Sequence, residues 1–125
     1  MNSTLLVMAG GALGAGLRYH LGRLLTHGLG TGFPYGTLAA NLAGGFAMGL
    51  LVGWLARSGV GGEQSRLFLG VGVLGGFTTF SAFSLEVVNM IEREQWMMAA
   101  GYSAASVLGA ILALFAGLMM MRQVA

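Results

Sequence analysis

Residues 67–85 of the chain have the sequence LFLGVGVLGGFTTFSAFSL, which contains no charged side chain. A helix that crosses a bilayer needs about 20 mostly apolar residues, so this stretch is long enough to cross a membrane. Its middle is unusual, because the paired glycines Gly75 and Gly76 are followed closely by Thr78 and Thr79. Glycine is conformationally permissive and threonine can hydrogen-bond its own backbone, which favours a break in the helix. The alternative is a gently kinked helix whose hydroxyl groups bond to the preceding turn.

The whole chain is poor in charged residues. Arginine and glutamate are the only charged residue types, 6 and 4 among 125 residues, while hydrophobic residues make up 56%. Soluble domains contain about 25% charged residues. A small soluble domain buries a limited share of its surface and must cover the rest with polar groups, which this composition cannot supply. The chain is therefore expected to be an integral membrane protein.

Three more stretches lack arginine and glutamate, namely 1–17, 24–56 and 95–121. The second of these is too long for one helix, and its Gly/Pro-rich segment 26–34 predicts a loop. We therefore predict an all-α membrane protein that forms a single domain over residues 1–125. Its four transmembrane helices are predicted at about 3–25, 36–56, 67–93 and 95–121.

The arginines are divided almost evenly between the two sides of the predicted membrane. One side carries Arg57, Arg66 and Arg122, and the other carries Arg23, Arg93 and, close to a helix end, Arg18. Orientation normally follows an excess of arginine and lysine in the cytoplasmic loops, and no such excess exists here. Two hypotheses follow: a single orientation with a weak bias, or insertion in both orientations followed by antiparallel dimerisation.

Glycines recur every four residues on the first two predicted helices. They are Gly10 and Gly14 on the first helix and Gly45, Gly49 and Gly53 on the second. Small residues at this spacing let helices approach closely in lipid, where the hydrophobic effect does not drive association. The pattern predicts close helix contacts within one protomer, within a dimer, or in both.

Thr37 and Asn41 lie one turn apart on the second predicted helix and therefore share a face. An uncharged polar group at membrane depth must be satisfied by protein or by a water-filled path. Asn41 can therefore either form a hydrogen bond between helices or face a permeating ligand.

Aromatic rings and hydroxyl groups recur at helical spacing in the last two predicted helices. The pairs are Phe80 with Phe83, Ser81 with Ser84, and Tyr102 with Ser106. Such rings usually pack against lipid or core, but their edges are electropositive and can face an anion. Hydroxyls and ring edges carry no fixed charge, which suits a small anion that must bind favourably but weakly. Arg18 can either snorkel to the interface or draw anions into a vestibule.

The composition excludes several classes of function. Without cysteine, the chain has no disulfide framework, thiolate metal site or thiol nucleophile. The net charge of +2 is spread thinly, so nucleic acid is not expected as a partner. Because aspartate and lysine are also absent and the two histidines are scattered, no catalytic set assembles and an enzyme is not expected. No P-loop is present, so no ATP-driven pump is implied.

Three blocks of the sequence match the pattern of a known family. They are residues 10–14 continuing to Arg18 and Tyr19, residues 36–44, and residues 75–84. Through these blocks the chain resembles, over essentially its whole length, the small fluoride channels of the Fluc (CrcB) family. The resemblance implies passive, fluoride-selective export across the cell membrane (the inner or plasma membrane), which lowers cytoplasmic fluoride and confers fluoride resistance. It also implies a dual-topology, antiparallel homodimer with two pores.

The same resemblance implies roles for particular residues. The family's fluoride pore positions match Asn41, Phe80 and Phe83, with Thr79, Ser81 and Ser106 as accessory positions. A structural sodium ion on the two-fold axis would be held by the backbone carbonyls of Gly75 and Thr78. Some members of the family carry another hydroxyl one turn beyond Ser106, where this chain has Ala110.

Two rival functions come from other classes. A proton-coupled small multidrug exporter of dual topology would need a carboxylate inside a helix. The first, second and fourth predicted helices contain none, and Glu86 of the third is expected near an interface. The other rival is a structural or assembly protein without transport.

Overall fold

The computed structural model describes residues 2–58 and 62–124. In chain order, its helices are α1 Ser3–Leu29, α2 Tyr35–Ser58, α3 Gly62–Ser65, α4 Gly75–Phe77, α5 Ser81–Glu92 and α6 Trp96–Gln123. A π-helical segment, Arg66–Leu74, joins α3 to α4. The described residues form no strand, which confirms the all-α fold.

Three stretches are long and apolar enough to cross a membrane, namely Tyr35–Arg57, Gly62–Glu92 and Trp96–Gln123. They correspond to the second, third and fourth predicted helices, and they make the chain a multi-pass membrane protein. Helix α1 has 27 residues, but Arg18, His20 and Arg23 make its second half less apolar. A crossing of the membrane by α1 therefore stays a prediction.

Helix α1 continues past residue 25 to Leu29, so the prediction of a loop over residues 26–29 is wrong. Gly30 ends the helix with a φ of 86°, and its N–H donates to the Thr26 carbonyl over 2.8 Å. Glycine adopts a positive φ at little cost, which fixes the end of α1 at this residue. Gly28 stays inside the helix, because a single glycine weakens a helix without necessarily ending it.

The third predicted helix begins at Gly62 rather than at residue 67. Arg66 Nη2 donates to Glu63 Oε1 over 2.7 Å, one turn away, in an exposed ion pair. The prediction starts at the uncharged stretch and so omits these charged residues, although they extend the same helical path. The predicted ends of the second and fourth helices agree with α2 and α6 to within two residues.

The third span is interrupted between α4 and α5, as its paired glycines and paired threonines predict. Thr78 ends α4 in an extended conformation, with φ −87° and ψ 159°. Its N–H and its hydroxyl both donate to the Leu74 carbonyl, each over 3.0 Å. The alternative of a continuous, kinked helix is therefore wrong. The sequence does not predict the π-helical turns before the break, where the Gly75 N–H donates five residues back to Gly70.

The glycines of the four-residue pattern lie in contacts between helices of one protomer. Gly45 of α2 faces α6, and a Cβ there would come within 2.8 Å of the Ala110 carbonyl oxygen. Gly10 of α1 faces the π-helical segment, where a Cβ would lie 2.9 Å from the Gly72 Cα. The other members are confined in the same way, namely Gly14, Gly49 and Gly53. These contacts pack α1 against the third span and α2 against α6.

Candidate functional site

A side chain from α2 forms hydrogen bonds with the backbone at the break in the third span. Asn41 Nδ2 donates to the Thr79 carbonyl over 3.0 Å, and the Thr79 N–H donates to Asn41 Oδ1 over 2.9 Å. The sequence leaves two roles open for Asn41, and these bonds correspond to the first of them, a hydrogen bond between helices. An amide nitrogen carries two hydrogens, so one donor of Asn41 remains beyond its bond to Thr79.

Two carbonyls at the break lose the donors that a continuous helix would give them. In an α-helix the N–H of Thr79 would donate to Gly75, and that of Ala82 would donate to Thr78. Here the Thr79 N–H donates to Asn41, and the Ala82 N–H donates to Thr79 Oγ1 over 3.2 Å. The carbonyl oxygens of Gly75 and Thr78, which are the predicted sodium ligands, are thereby released from their helical donors.

Arg18 of α1 reaches the same break. Its Nε donates a long hydrogen bond of 3.4 Å to the Gly76 carbonyl, and the residue is half-buried. The close approach of α1 depends on Gly14, where a Cβ would lie 2.7 Å from the Phe77 nitrogen. Arg18 therefore binds backbone at the break, which a side chain that only snorkels to the interface would not do.

A cleft of about 570 Å³, which we call the central cleft, opens between α2, the break and α6. Its lining includes the predicted fluoride residues Asn41, Thr79, Phe80, Phe83 and Ser106, and the predicted sodium ligands Gly75 and Thr78. Ala110, which replaces a possible hydroxyl, is also on its wall. Ser81 is not among the residues that line the cleft; it is exposed, and its Oγ lies 3.5 Å from Thr79 Oγ1.

Aromatic rings run from the mouth of the central cleft into the protein. The side chain of Phe80 is 73% exposed, and its ring centroid lies 5.3 Å from that of Phe83, which is 8% exposed. The Phe83 ring lies 5.3 Å from the ring of Tyr102. The predicted pair of phenylalanines therefore lies together, with Phe80 open to the surroundings of the protomer and Phe83 packed in its core.

Glu86 belongs to a polar cluster that sequence reasoning missed. Tyr102 Oη donates to Glu86 Oε1 over 2.9 Å, and Thr37 Oγ1 donates to Glu86 Oε2 over 3.1 Å. Glu86 is predicted near a membrane interface, and in the structure its carboxylate packs between α2 and α6. The sequence does contain one signal for this position. Glu86 follows Phe83 by three residues, and residues three apart share a face of a helix.

Ser106 presents a buried hydroxyl one turn beyond Tyr102. The residue is 5% exposed, and its Oγ has no hydrogen-bond partner among the described residues. A buried polar group without a partner costs about 1–3 kcal/mol. Because Ser106 lines the central cleft, its hydroxyl is available to donate to an anion or to a water molecule there.

A second cavity of about 630 Å³, which we call the vestibule, lies beside the second half of α1, the α1–α2 loop and α5. Its charged lining residues are Arg18, Arg23, Arg93 and Glu86. Thr37 lines the vestibule, and Asn41, one turn further along α2, lines the central cleft. The two spaces are therefore about one helical turn apart.

Residues 5–118 match the protein family described as CrcB-like protein, Camphor Resistance (CrcB). The chain belongs to the CrcB family. Its relatives include the fluoride-specific ion channel FluC of Phenylobacterium zucineum, which is 60% identical over 125 residues, with 99% of this chain and 98% of the relative covered. The protein of the same name from Sphingopyxis alaskensis is 55% identical over 123 residues, with 98% of both chains covered. That of Novosphingobium aromaticivorans is 55% identical over 127 residues, with 100% of both covered.

Membership of the CrcB family confirms the resemblance seen in the three sequence blocks. The structure adds where the predicted pore residues lie. Asn41 from α2, Phe80 from the break and Ser106 from α6 all line the central cleft. The roles of these residues towards an ion stay predictions.

Proposed function

We propose that this chain is a fluoride-selective channel through which fluoride leaves the cell passively, so that cytoplasmic fluoride falls and the cell resists fluoride. The observation that carries this proposal is the central cleft, where the Asn41 amide and the unpaired Ser106 hydroxyl lie with Phe80 at a helix break. None of these groups carries a fixed charge. The name of the relatives, fluoride-specific ion channel FluC, supports the same anion. Camphor resistance, the other term in the name of the family, is a phenotype and does not identify a ligand.

Uncharged donors can replace part of the water around fluoride without trapping the ion. A conducting site must bind an ion well enough to admit it and weakly enough to release it. The second amide hydrogen of Asn41 and the hydroxyl of Ser106 would replace hydrogen bonds from water, and the edge of Phe80 would add a weak contact. Arg18 lines the vestibule and not the central cleft, so its charge would draw anions inward without holding them there.

The proposed channel is an antiparallel homodimer with two pores, one at each central cleft. Phe80 is largely exposed beside the carbonyls of Gly75 and Thr78, which have lost their helical donors. At membrane depth, irregular backbone is tolerated only against protein or a water-filled cavity. A second copy in the opposite orientation would cover this surface, and the even division of the arginines allows both orientations.

In this dimer, the carbonyl oxygens of Gly75 and Thr78 would hold a structural sodium ion. These residues fit such an ion, because the N–H groups that would occupy their oxygens donate to Asn41 and Thr79 instead. Carbonyl oxygens are hard ligands, which suit sodium and not a soft transition metal. When bound, the ion would supply positive charge at the two helix breaks.

Fluoride efflux from liposomes tests the proposed function. We expect the purified protein to release fluoride but neither chloride nor a cationic drug. A proton-coupled exporter would need a carboxylate to exchange, and Glu86 is the one half-buried carboxylate among the described residues. Both of its oxygens accept hydrogen bonds, and the arginines of the vestibule disfavour a cationic substrate. Transport of the drug without fluoride efflux would favour the exporter, and transport of neither would favour a structural role.

Topology reporters fused to the C-terminus should give signals from both sides of the membrane. The physical reason is the even division of the arginines, which leaves neither orientation favoured. Adding two arginines to the loops of one side should bias insertion and lower fluoride efflux, because oppositely inserted partners become scarce. A signal from one side only in the unmodified protein would exclude the antiparallel dimer.

Prolonged removal of sodium should slowly lower fluoride efflux, because the proposed ion stabilises the dimer at the two breaks. Efflux from liposomes is compared in sodium and in a large organic cation, and a transition-metal chelator serves as the control. The chelator should change nothing, since carbonyl oxygens bind soft metals poorly. If efflux is indifferent to sodium, Gly75 and Thr78 do not form this site.

A further inference from the structure

The vestibule contains a titratable side chain that the proposed conduction path does not use. His27 lies in the last turn of α1 and lines this cavity. Among the ordinary side chains, histidine is the one whose charge changes between about pH 5 and pH 8. We propose that His27 makes the entry of fluoride depend on pH, because its protonation adds a positive charge to a cavity that collects anions. This inference rests on the proposed function.

The charged residues that line the vestibule together with His27 are mostly arginines. The titratable and charged lining residues are Arg18, Tyr19 and Arg23 on α1, Tyr35 on α2, Glu86 on α5, and Arg93 just after it. The Glu86 carboxylate is engaged by the hydroxyls of Thr37 and Tyr102. A protonated His27 would therefore be a fourth cation beside three arginines, opposed by one carboxylate among the described lining residues.

A charge in such a cavity raises the local concentration of the ion that it attracts. Clefts of one sign with walls of low dielectric constant focus the field on their contents. One extra unit charge about 10 Å from a fluoride ion in a water-filled cavity should raise its occupancy about twofold. Because the Debye length is about 10 Å at 0.1 M salt, the gain should be largest at low ionic strength and should shrink as salt is added.

The test compares fluoride efflux from liposomes at about pH 5.5 and about pH 7.5, with the same pH on both sides and at low ionic strength. Fluoride is kept subsaturating, and protein-free liposomes measure the leak of the neutral acid at each pH. The unmodified protein should conduct about twofold faster at the lower pH. His27→Gln should be slow at both pH values, and His27→Arg should be fast at both. His20→Gln is the matched control, because His20 is exposed on α1 and is not among the vestibule lining residues.

Two outcomes separate this inference from the proposed function. If the unmodified protein releases no fluoride at either pH, the proposed function fails. If it conducts fluoride and His27→Gln keeps the full response to pH, the role of His27 is overturned and the channel function stands. A response that is also lost in His20→Gln would likewise overturn the role of His27. Exposure of His27 on the helix surface favours normal folding of both His27 variants.

Discussion

Replacing Asn41 with aspartate should reduce fluoride efflux about a thousandfold at neutral pH. The side chain scarcely changes in size, but an amide that donates two hydrogens becomes a carboxylate that only accepts. Two like unit charges about 4 Å apart repel by about 4 kcal/mol at an effective dielectric constant of about 20. Because about 1.4 kcal/mol corresponds to a factor of ten, this repulsion gives the expected loss of fluoride occupancy.

Asn41→Asp adds a charge and also alters the helix contact, since Asn41 exchanges two hydrogen bonds with Thr79. A second variant separates these two effects. Asn41→Ala removes both hydrogen bonds without adding a charge, so it should impair efflux much less than Asn41→Asp does. Asn2→Asp makes the same chemical change at the exposed N-cap of α1, where the side chain accepts from the Thr4 N–H over 2.7 Å. Aspartate caps a helix as well as asparagine does, so efflux should not change in this control.

Size-exclusion chromatography, read together with the efflux assay, decides whether Asn41 contacts the permeating ion or mainly holds Thr79. If Asn41→Asp remains a folded dimer with undiminished efflux, Asn41 does not contact the permeating ion. If Asn41→Asp and Asn41→Ala lose the folded protein to the same extent, the contact with Thr79 is its main role.

Features that depend on local sequence could be predicted. The break follows from Gly75, Gly76 and the two threonines, because backbone freedom and competing hydroxyls act within one or two turns. The spacing of Tyr102 and Ser106 places both on one face of α6, and both are buried in the structure. Their side chains lie on the same side of α6, as helical periodicity requires.

Features that depend on contacts distant in sequence could not be predicted. The partner of the Asn41 amide is the backbone of Thr79, 38 positions away. Glu86 receives hydroxyls from two other helices, and its partner Thr37 is 49 positions away. Such pairings follow from the packing of the helices against one another, which no local pattern contains. The π-helical turns of Arg66–Leu74 are a similar case, since they pack against α1 at Gly10.

Replacing Gly44 with alanine should lower fluoride efflux about tenfold to a hundredfold, because overpacking of this kind costs about 1–3 kcal/mol. A Cβ at Gly44 would overlap Thr78 Cγ2 and would lie 3.5 Å from Phe77 Cδ2. Thr78 would have to move, and with it a carbonyl oxygen of the proposed sodium site. Gly16→Ala is the control on α1, since a Cβ there meets nothing within 4 Å.

A second substitution should restore what Gly44→Ala removes. Thr78→Ser deletes the methyl group that collides with the new Cβ, and it keeps the hydroxyl that donates to the Leu74 carbonyl over 3.0 Å. The double variant should therefore regain most of the efflux and the ordinary response to sodium, whereas additive losses would indicate two independent defects. Fluoride efflux from liposomes and the elution volume of the detergent-solubilised protein are measured for all four members of the cycle. If Gly44→Ala alone conducts like the unmodified protein, the contact between Gly44 and Thr78 does not set the geometry of the break.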